Sequence, residues 1–348
     1  MPHLALPFLK TFLIAAALVA ASLWLLILLL DPYGVSPIRL PIQRPIMDIN
    51  QRYMYPQIVR SRRYDSLVIG TSTSRLLDPE ALNVAFGGRF ANLAMNAATA
   101  WEQSELLKLA LRHQSAPKTV IIGLDQMWCV DEQNLQKITF RGFPEWMYDD
   151  NPWNDLPGVF NSKALEITGR LAAYHLGWMK ERIRRDGYEV FTPPEQTYDL
   201  ARARAHIWRG YAGQSITPVE PPVILAAQTS AALQFPALQW LDDILTRIPH
   251  SSQRILAAMP LHIAAQPMPG SAEAARITVC KERIAAIARK HDLRFADFSI
   301  GSAITRDDAN YWDPLHYRLP VAKRIIDGLQ TAVQSGQDSP EGLYKVLN

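Results

Sequence analysis

From Phe12 to Leu30 the chain carries no charge, and apart from Phe12, Ser22 and Trp24 every side chain is aliphatic. At about 1.5 Å per residue, a helix of this length matches the roughly 30 Å hydrocarbon core of a bilayer. Asp31-Pro32 then stops it, because proline lacks an amide donor and aspartate is costly in lipid. A cleaved signal peptide would have a shorter apolar core followed by a small-x-small site. Here Ala20-Ala21-Ser22 sits in the middle of the run, so the segment reads as an uncleaved anchor, 12–30, behind a short cytoplasmic stretch, 1–11. Lys10 precedes it, and Arg39 and Arg44 follow, so the positive-inside rule does not decide its orientation.

The 348 residues allow one large domain or two modest ones, and 48% hydrophobic content supports a substantial core. Charged residues make up 20% and the formal charge is +3, too mild for a nucleic-acid or other polyanionic partner. The 25 prolines and 9 tryptophans suggest long ordered loops with aromatic surfaces. Cys129 and Cys280 lack metal-ligand spacing, so zinc and iron–sulfur chemistry are not supported. Two buried free thiols are the default, with a disulfide open in an oxidising compartment.

Residues 31–63, rich in proline and arginine, read as a juxtamembrane arm along the domain or the lipid headgroups, or as a solvated linker. Beyond them, short apolar runs alternate with helical patterns, which predicts a mostly parallel sheet covered by helices. Strands are expected at Ser66–Gly70, Ala91–Met95, Lys118–Leu124, Arg254–Met259 and Leu293–Phe298. Asp78-Pro79 opens one helix, and a capping box at Thr99–Glu102 opens another that runs to His113. Later helices are expected at Leu238–Arg247, Ser271–His291 and Pro320–Gln334. Residues 131–229 break the alternation with aromatics, prolines and a basic helix around Lys180–Arg185, and read as an insertion or lid. The domain thus spans 64–130 and 230–334, and 335–348 reads as a weakly held tail.

Gly70-Thr71-Ser72-Thr73-Ser74-Arg75 follows the first strand directly, where open parallel sheets bind ligands. A serine there exposes its hydroxyl, and following amides such as that of Thr73 can face an oxyanion. A serine needs a base, usually a histidine oriented by a carboxylate. Asp313 and His316, three apart just before the last helix, supply that pair. Singly each pattern is common; together, in this order, they are specific. Ser74 could hydrogen-bond beside Ser72, Arg75 could steer an anionic substrate or make a surface ion pair, and His262 could line the pocket or be structural. Trp128, Trp146, Trp153 and Trp208 could stack on sugar rings, with core packing the default for each.

With these residues in hand, the chain resembles the SGNH (GDSL-like) hydrolase superfamily over Tyr64–Gln334 without the insertion. It is closest to the membrane-anchored branch found beside envelope polysaccharide and teichoic-acid acylation machinery. The likeness rests on Asp31-Pro32-Tyr33-Gly34 after the anchor, the Gly-Thr-Ser turn, Asn92-Leu93-Ala94, and Ile122-Gly123-Leu124-Asp125. It implies a three-layer α/β sandwich, Ser72 as nucleophile, His316 as base and Asp313 as its orienting carboxylate, with no metal or organic cofactor. It implies an esterase or O-acyltransferase acting on an envelope carbohydrate or polymer, on the extracytoplasmic (periplasmic) side of the cell membrane, with an integral-membrane acyltransferase as a partner. Thr71 replaces the aspartate of Gly-Asp-Ser, which is not the reacting group, and two further positions depart from the pattern. Ala97 stands at the oxyanion-hole glycine. Asp125 stands where an asparagine would donate, which requires a protonated Asp125, a donor from elsewhere, or a weak site. The rival expectation is a non-catalytic SGNH scaffold that binds or assembles envelope polysaccharide.

Overall fold

A computed structural model describes residues 2–38, 40–149, 151–209 and 216–347. In chain order the helices are α1 (Pro2–Leu30), α2 (Gln51–Arg60), α3 (Pro79–Phe86), α4 (Ala100–His113), α5 (Pro152–Gly158), α6 (Ser162–His175), α7 (Leu200–Ile207), α8 (Ala227–Ala232), α9 (Ala237–Arg247), α10 (Ala272–Lys290) and α11 (Leu319–Ser335). The strands are β1 (Ser66–Ile69), β2 (Phe90–Asn92), β3 (Thr119–Leu124), β4 (Gln253–Ala258), β5 (Phe295–Asp297) and β6 (Lys345–Leu347). They divide between two compact units, one of Met1–Arg60 with Pro144–Arg185, the other of Ser61–Phe143 with Asp186–Asn348.

The larger unit is α/β. Its six-stranded sheet has the order β2-β1-β3-β4-β5-β6, with every pairing parallel except β5 with β6. β3 is buried along its whole length, as its unbroken apolar run requires of a central strand. Val68, Ile121 and Ile255 from neighbouring strands join Leu82 of α3 and Ile325 and Leu329 of α11 in one core. Each such burial is worth roughly 1.5–3 kcal/mol. Helix starts follow local chemistry. Asp78 accepts from the Glu80 amide ahead of Pro79, and Thr99 and Glu102 form both bonds of a capping box. Ser271 accepts from the Ala274 amide at the start of α10.

The smaller unit holds α1, whose stretch Pro7–Leu30 is apolar and long enough to cross a membrane. Asp31 ends it with φ +51° and turns its carboxylate onto the amides of Val35 (2.8 Å) and Ser36 (2.9 Å). α6 packs against α1, with the Phe160 ring 6.2 Å edge-on from Trp24.

Several expectations change. The arm at 31–63 is not extended throughout, because residues 51–60 form α2 despite its internal Pro56, with Met54 and Tyr55 fully buried. Arg39, counted in the charge balance, lies outside the described residues. Lys180–Arg185 is not helical; Ile183 bridges Ile46, and the Arg182 amide donates to the Ile46 carbonyl at 2.7 Å. The stretch 131–229 is shared between the two units. The tail is held rather than loose, since β6 pairs with β5 and gives that strand a second neighbour; Asn348 lies outside the described residues. The cysteines are not free thiols. Cys129, after β3, and Cys280, on α10, form a disulfide because the fold brings their Cα atoms to 5.8 Å.

Candidate active site

β1 ends at Ile69, and after Gly70 and Thr71 the chain turns through a single 3₁₀ turn, Ser72–Ser74. The first amides of such a turn have no partner within it. Asn92, at the end of β2, fixes the backbone from Ser74 to Leu77. Its Nδ2 donates to the carbonyls of Ser74 (2.9 Å), Arg75 (3.3 Å) and Leu77 (2.9 Å), while its Oδ1 accepts from the Ala94 amide.

His316 arrives on the loop between Tyr311 and Tyr317, which bridge each other in antiparallel fashion. The Trp312 amide donates to the His316 carbonyl at 2.9 Å, and the Tyr317 hydroxyl donates to the Thr73 carbonyl, tying this loop to the serine turn. Asp313 folds back within the loop. Its Oδ1 accepts from the amides of Leu315 (2.8 Å) and His316 (3.0 Å), and its Oδ2 lies 2.7 Å from His316 Nδ1. The other ring nitrogen, Nε2, lies 3.0 Å from Ser72 Oγ. An ionised Asp313 only accepts, so Nδ1 carries the proton and Nε2 is free to receive the serine's. Burial pushes the Asp313 carboxyl up, but the hydrogen bonds from His316 and the two amides outweigh it and hold the group below the usual carboxylate range. Phe191 meets the imidazole edge-on at 5.2 Å. Ser72, His316 and Asp313 thus stand in hydrogen-bonded sequence, with distances inside the reach required for proton transfer.

No protein-family model and no curated protein matches the chain.

The other singled-out residues fall in different places. Ala97 has φ +49°, a left-handed backbone that favours glycine. Thr73 is buried; its carbonyl serves Tyr317 and its hydroxyl lies 3.3 Å from that of Thr71. Asp125 follows β3 and has both oxygens engaged. Oδ1 accepts from the Met127 amide at 2.9 Å and Oδ2 from the Thr71 hydroxyl. Burial pushes its carboxyl up to about 6 against those two bonds. Asp125 also lines a cavity of about 180 Å³ with Met259, Lys281 and Ser299, whereas Ser72, His316 and Asp313 do not form its walls.

Ser74 and Arg75 are both buried. Ser74 is fully buried in the space left by Gly70 and Gly123, where an added Cβ would come within 2.4 and 2.0 Å of its Oγ. Arg75 is also buried, paired with Glu189 and with Asn96 Oδ1 (2.7 Å), its guanidinium 4.6 Å from the Phe191 ring centre. His262 is fully buried, with Nδ1 accepting from the Ala264 amide and Nε2 3.1 Å from Asp308, and burial lowers its pKa. Of the tryptophans considered for sugar stacking, Trp128 is buried and Trp153 is exposed.

Asn92, Tyr317 and Phe191 position the site without having been singled out for that role. Asn92 appeared only as part of an Asn-Leu-Ala likeness, Tyr317 only as the residue that closes the Trp312–Tyr317 segment, and Phe191 in no motif. Among the described residues no group of three or more His, Cys, Asp or Glu side chains is placed to hold a metal ion.

Proposed function

We propose that this protein performs serine-dependent acyl-ester chemistry on a cell-envelope carbohydrate or polymer, as an esterase or O-acyltransferase of SGNH type. The observation that carries the reading is the hydrogen-bonded sequence Ser72–His316–Asp313, with links of 3.0 and 2.7 Å. Ser72 attacks the ester carbonyl while His316 takes its proton, and the alkoxide of the donor leaves with that proton. Water or a sugar hydroxyl then attacks the acyl-serine, restoring the free hydroxyl. The glycine-like backbone at Ala97 supports an oxyanion seat beside the amides of the 72–74 turn.

In this reading the sheet is the middle layer of a three-layer sandwich, with α3 and α11 on one face and α4 and α9 on the other, a division supported by the α3–α11 and α4–α9 contacts. Part of the insertion is the lid. Its Phe191 and Glu189, against His316 and Arg75, support that role. The domain lies outside the cytoplasm, which the Cys129–Cys280 disulfide supports because such bonds persist in oxidising compartments. An integral-membrane acyltransferase is the partner that would supply acyl groups. A reporter fused after Asn348 should be active only outside the cytoplasm; cytoplasmic activity removes the envelope substrate.

A non-catalytic scaffold is the second reading. It is favoured by Asp125, which presents a carboxylate bonded to Thr71 where a donating amide is expected. Exposing the detergent-solubilised full chain to a serine-directed fluorophosphonate separates the two. The parent should label and Ser72→Ala should not, while Ser74→Ala, altered at a buried residue, should still label. A parent that never labels, and transfers no acyl group in its own membranes, supports the scaffold.

A further inference from the structure

The smaller unit carries a surface that catalysis does not use. Three tryptophans are exposed among the described residues, Trp24, Trp153 and Trp178, and all three belong to this unit. Trp153 and Trp178 are 76% and 77% exposed, far beyond what core packing leaves. Phe160 (55%), Ile38 (62%) and Leu176 (60%) are exposed with them. An apolar side chain bared singly needs no explanation, but a group of large ones in one small unit does.

Their depth is set by α1. Trp24 lies six residues before the helix end, about 9 Å below it at 1.5 Å per residue. Phe160, just ahead of α6, touches Trp24 and therefore shares its level. At the other end of α6, His175 Nε2 lies 3.0 Å from the Gln43 carbonyl, and the nearby Leu40 amide donates to the Leu29 carbonyl at 2.8 Å. One end of α6 is thus tied to the anchor directly, and the other to the 40–43 stretch that returns to it at Leu29. If α1 crosses a bilayer, whatever touches Trp24 sits at the headgroup boundary or just inside it.

The chemistry fits that depth. Tryptophan favours the membrane interface, where its ring meets acyl chains and its N–H meets water. The chain after Trp178 carries exposed Lys180 and Arg182, whose long stems can cover apolar surface while their charges reach phosphates.

We infer that residues 152–182 together with Ile38 form an interfacial collar, inserted in the outer headgroup region of the phospholipid bilayer beside α1. The partner is the lipid itself, and the collar fixes the height and tilt at which the anchor emerges.

The test uses the full chain reconstituted in phospholipid nanodiscs. Both native cysteines are in a disulfide, so Phe160→Cys, Trp178→Cys and, as a control in the larger unit, Phe140→Cys each present one free thiol for a fluorophore. Phe140 is 89% exposed and lies outside the collar. Lipid carrying a shallow nitroxide should quench the labels at 160 and 178 severalfold more than at 140, and aqueous iodide should quench them severalfold less. Labels at 160 and 178 that match 140 with both quenchers would overturn the collar. Labels shielded from both quenchers would overturn it too, because protein and not lipid would then cover the face.

Discussion

The side-chain amide of Asn92 donates to the Ser74 carbonyl at 2.9 Å, so the end of β2 sets the backbone of the serine turn. The same nitrogen serves Arg75 and Leu77, and the residue is completely buried. Asn92→Ala leaves three carbonyls and the Ala94 amide short of a partner. It should cost on the order of 3 kcal/mol in urea denaturation, and the fraction that remains folded should label more slowly at Ser72. Asn92→Asp should be no better, since it turns a carboxylate oxygen toward those carbonyls. A variant as stable as the parent would show that the turn holds itself.

Asp313→Asn keeps a side chain of the same shape but favours the wrong imidazole tautomer, and should slow fluorophosphonate labelling by roughly 10⁴-fold. The sign of its pH effect follows from its lowered carboxyl. The folded state favours the ionised form, so the stabilisation is complete above the ordinary value of 3.8 and fades as pH falls through the folded value. Thermal melts of parent and variant should therefore converge in strong acid. A constant difference down to the lowest pH would remove the ionised carboxylate from the account.

Asp125 works in the opposite sense. Its carboxyl titrates near 6 in the folded chain against 3.8 ordinarily, so the folded state binds a proton more readily. Stability from this group therefore falls as pH rises between those two values, and the penalty is complete above 6. Asp125→Asn keeps an acceptor for the Met127 amide and can donate to Thr71. It should melt above the parent at pH 8, and the gap should close as the buffer is acidified toward pH 4. A gap that ignores pH would mean the carboxyl titrates at its ordinary value.

The disulfide spans 151 residues and links the segment after β3 to α10. Replacing both cysteines with alanine should cost about 2–5 kcal/mol by urea denaturation. Because both cysteines are buried, cells should be quenched and denatured in acid first, and a maleimide should then reach these thiols only if a reductant is added. Direct labelling without reductant would place the domain in a reducing compartment.

The parts of the fold that could be read from sequence are those governed by neighbours along the chain. The capping box at Thr99, the Asp78-Pro79 start and the unbroken apolar run of β3 need nothing distant. α2 was hidden because Pro56 argues against a helix, whereas burial of Met54 and Tyr55 carries it. β6 was hidden because three residues have no period and gain their bonds only from β5. The Ser72, Asp313 and His316 trio was legible because each residue type is chemically distinctive. The burial of Ser74 was not, because it depends on Gly70 just after β1 and on Gly123 within the neighbouring β3. The burial of the Arg75 ion pair was hidden for a related reason: its partner Glu189 lies 114 residues away.

Ser72 and His316 lie 244 residues apart in the chain. At ordinary translation speeds the histidine is made some tens of seconds after the serine. Until the loop between Tyr311 and Tyr317 closes onto Thr73, the serine is an ordinary alcohol with no base beside it. In the proposed reading, any truncated or stalled product ending before residue 316 lacks the base for Ser72, however well its first strands fold. The Ser72–His316 contact is thus among the last the chain can form during its own synthesis.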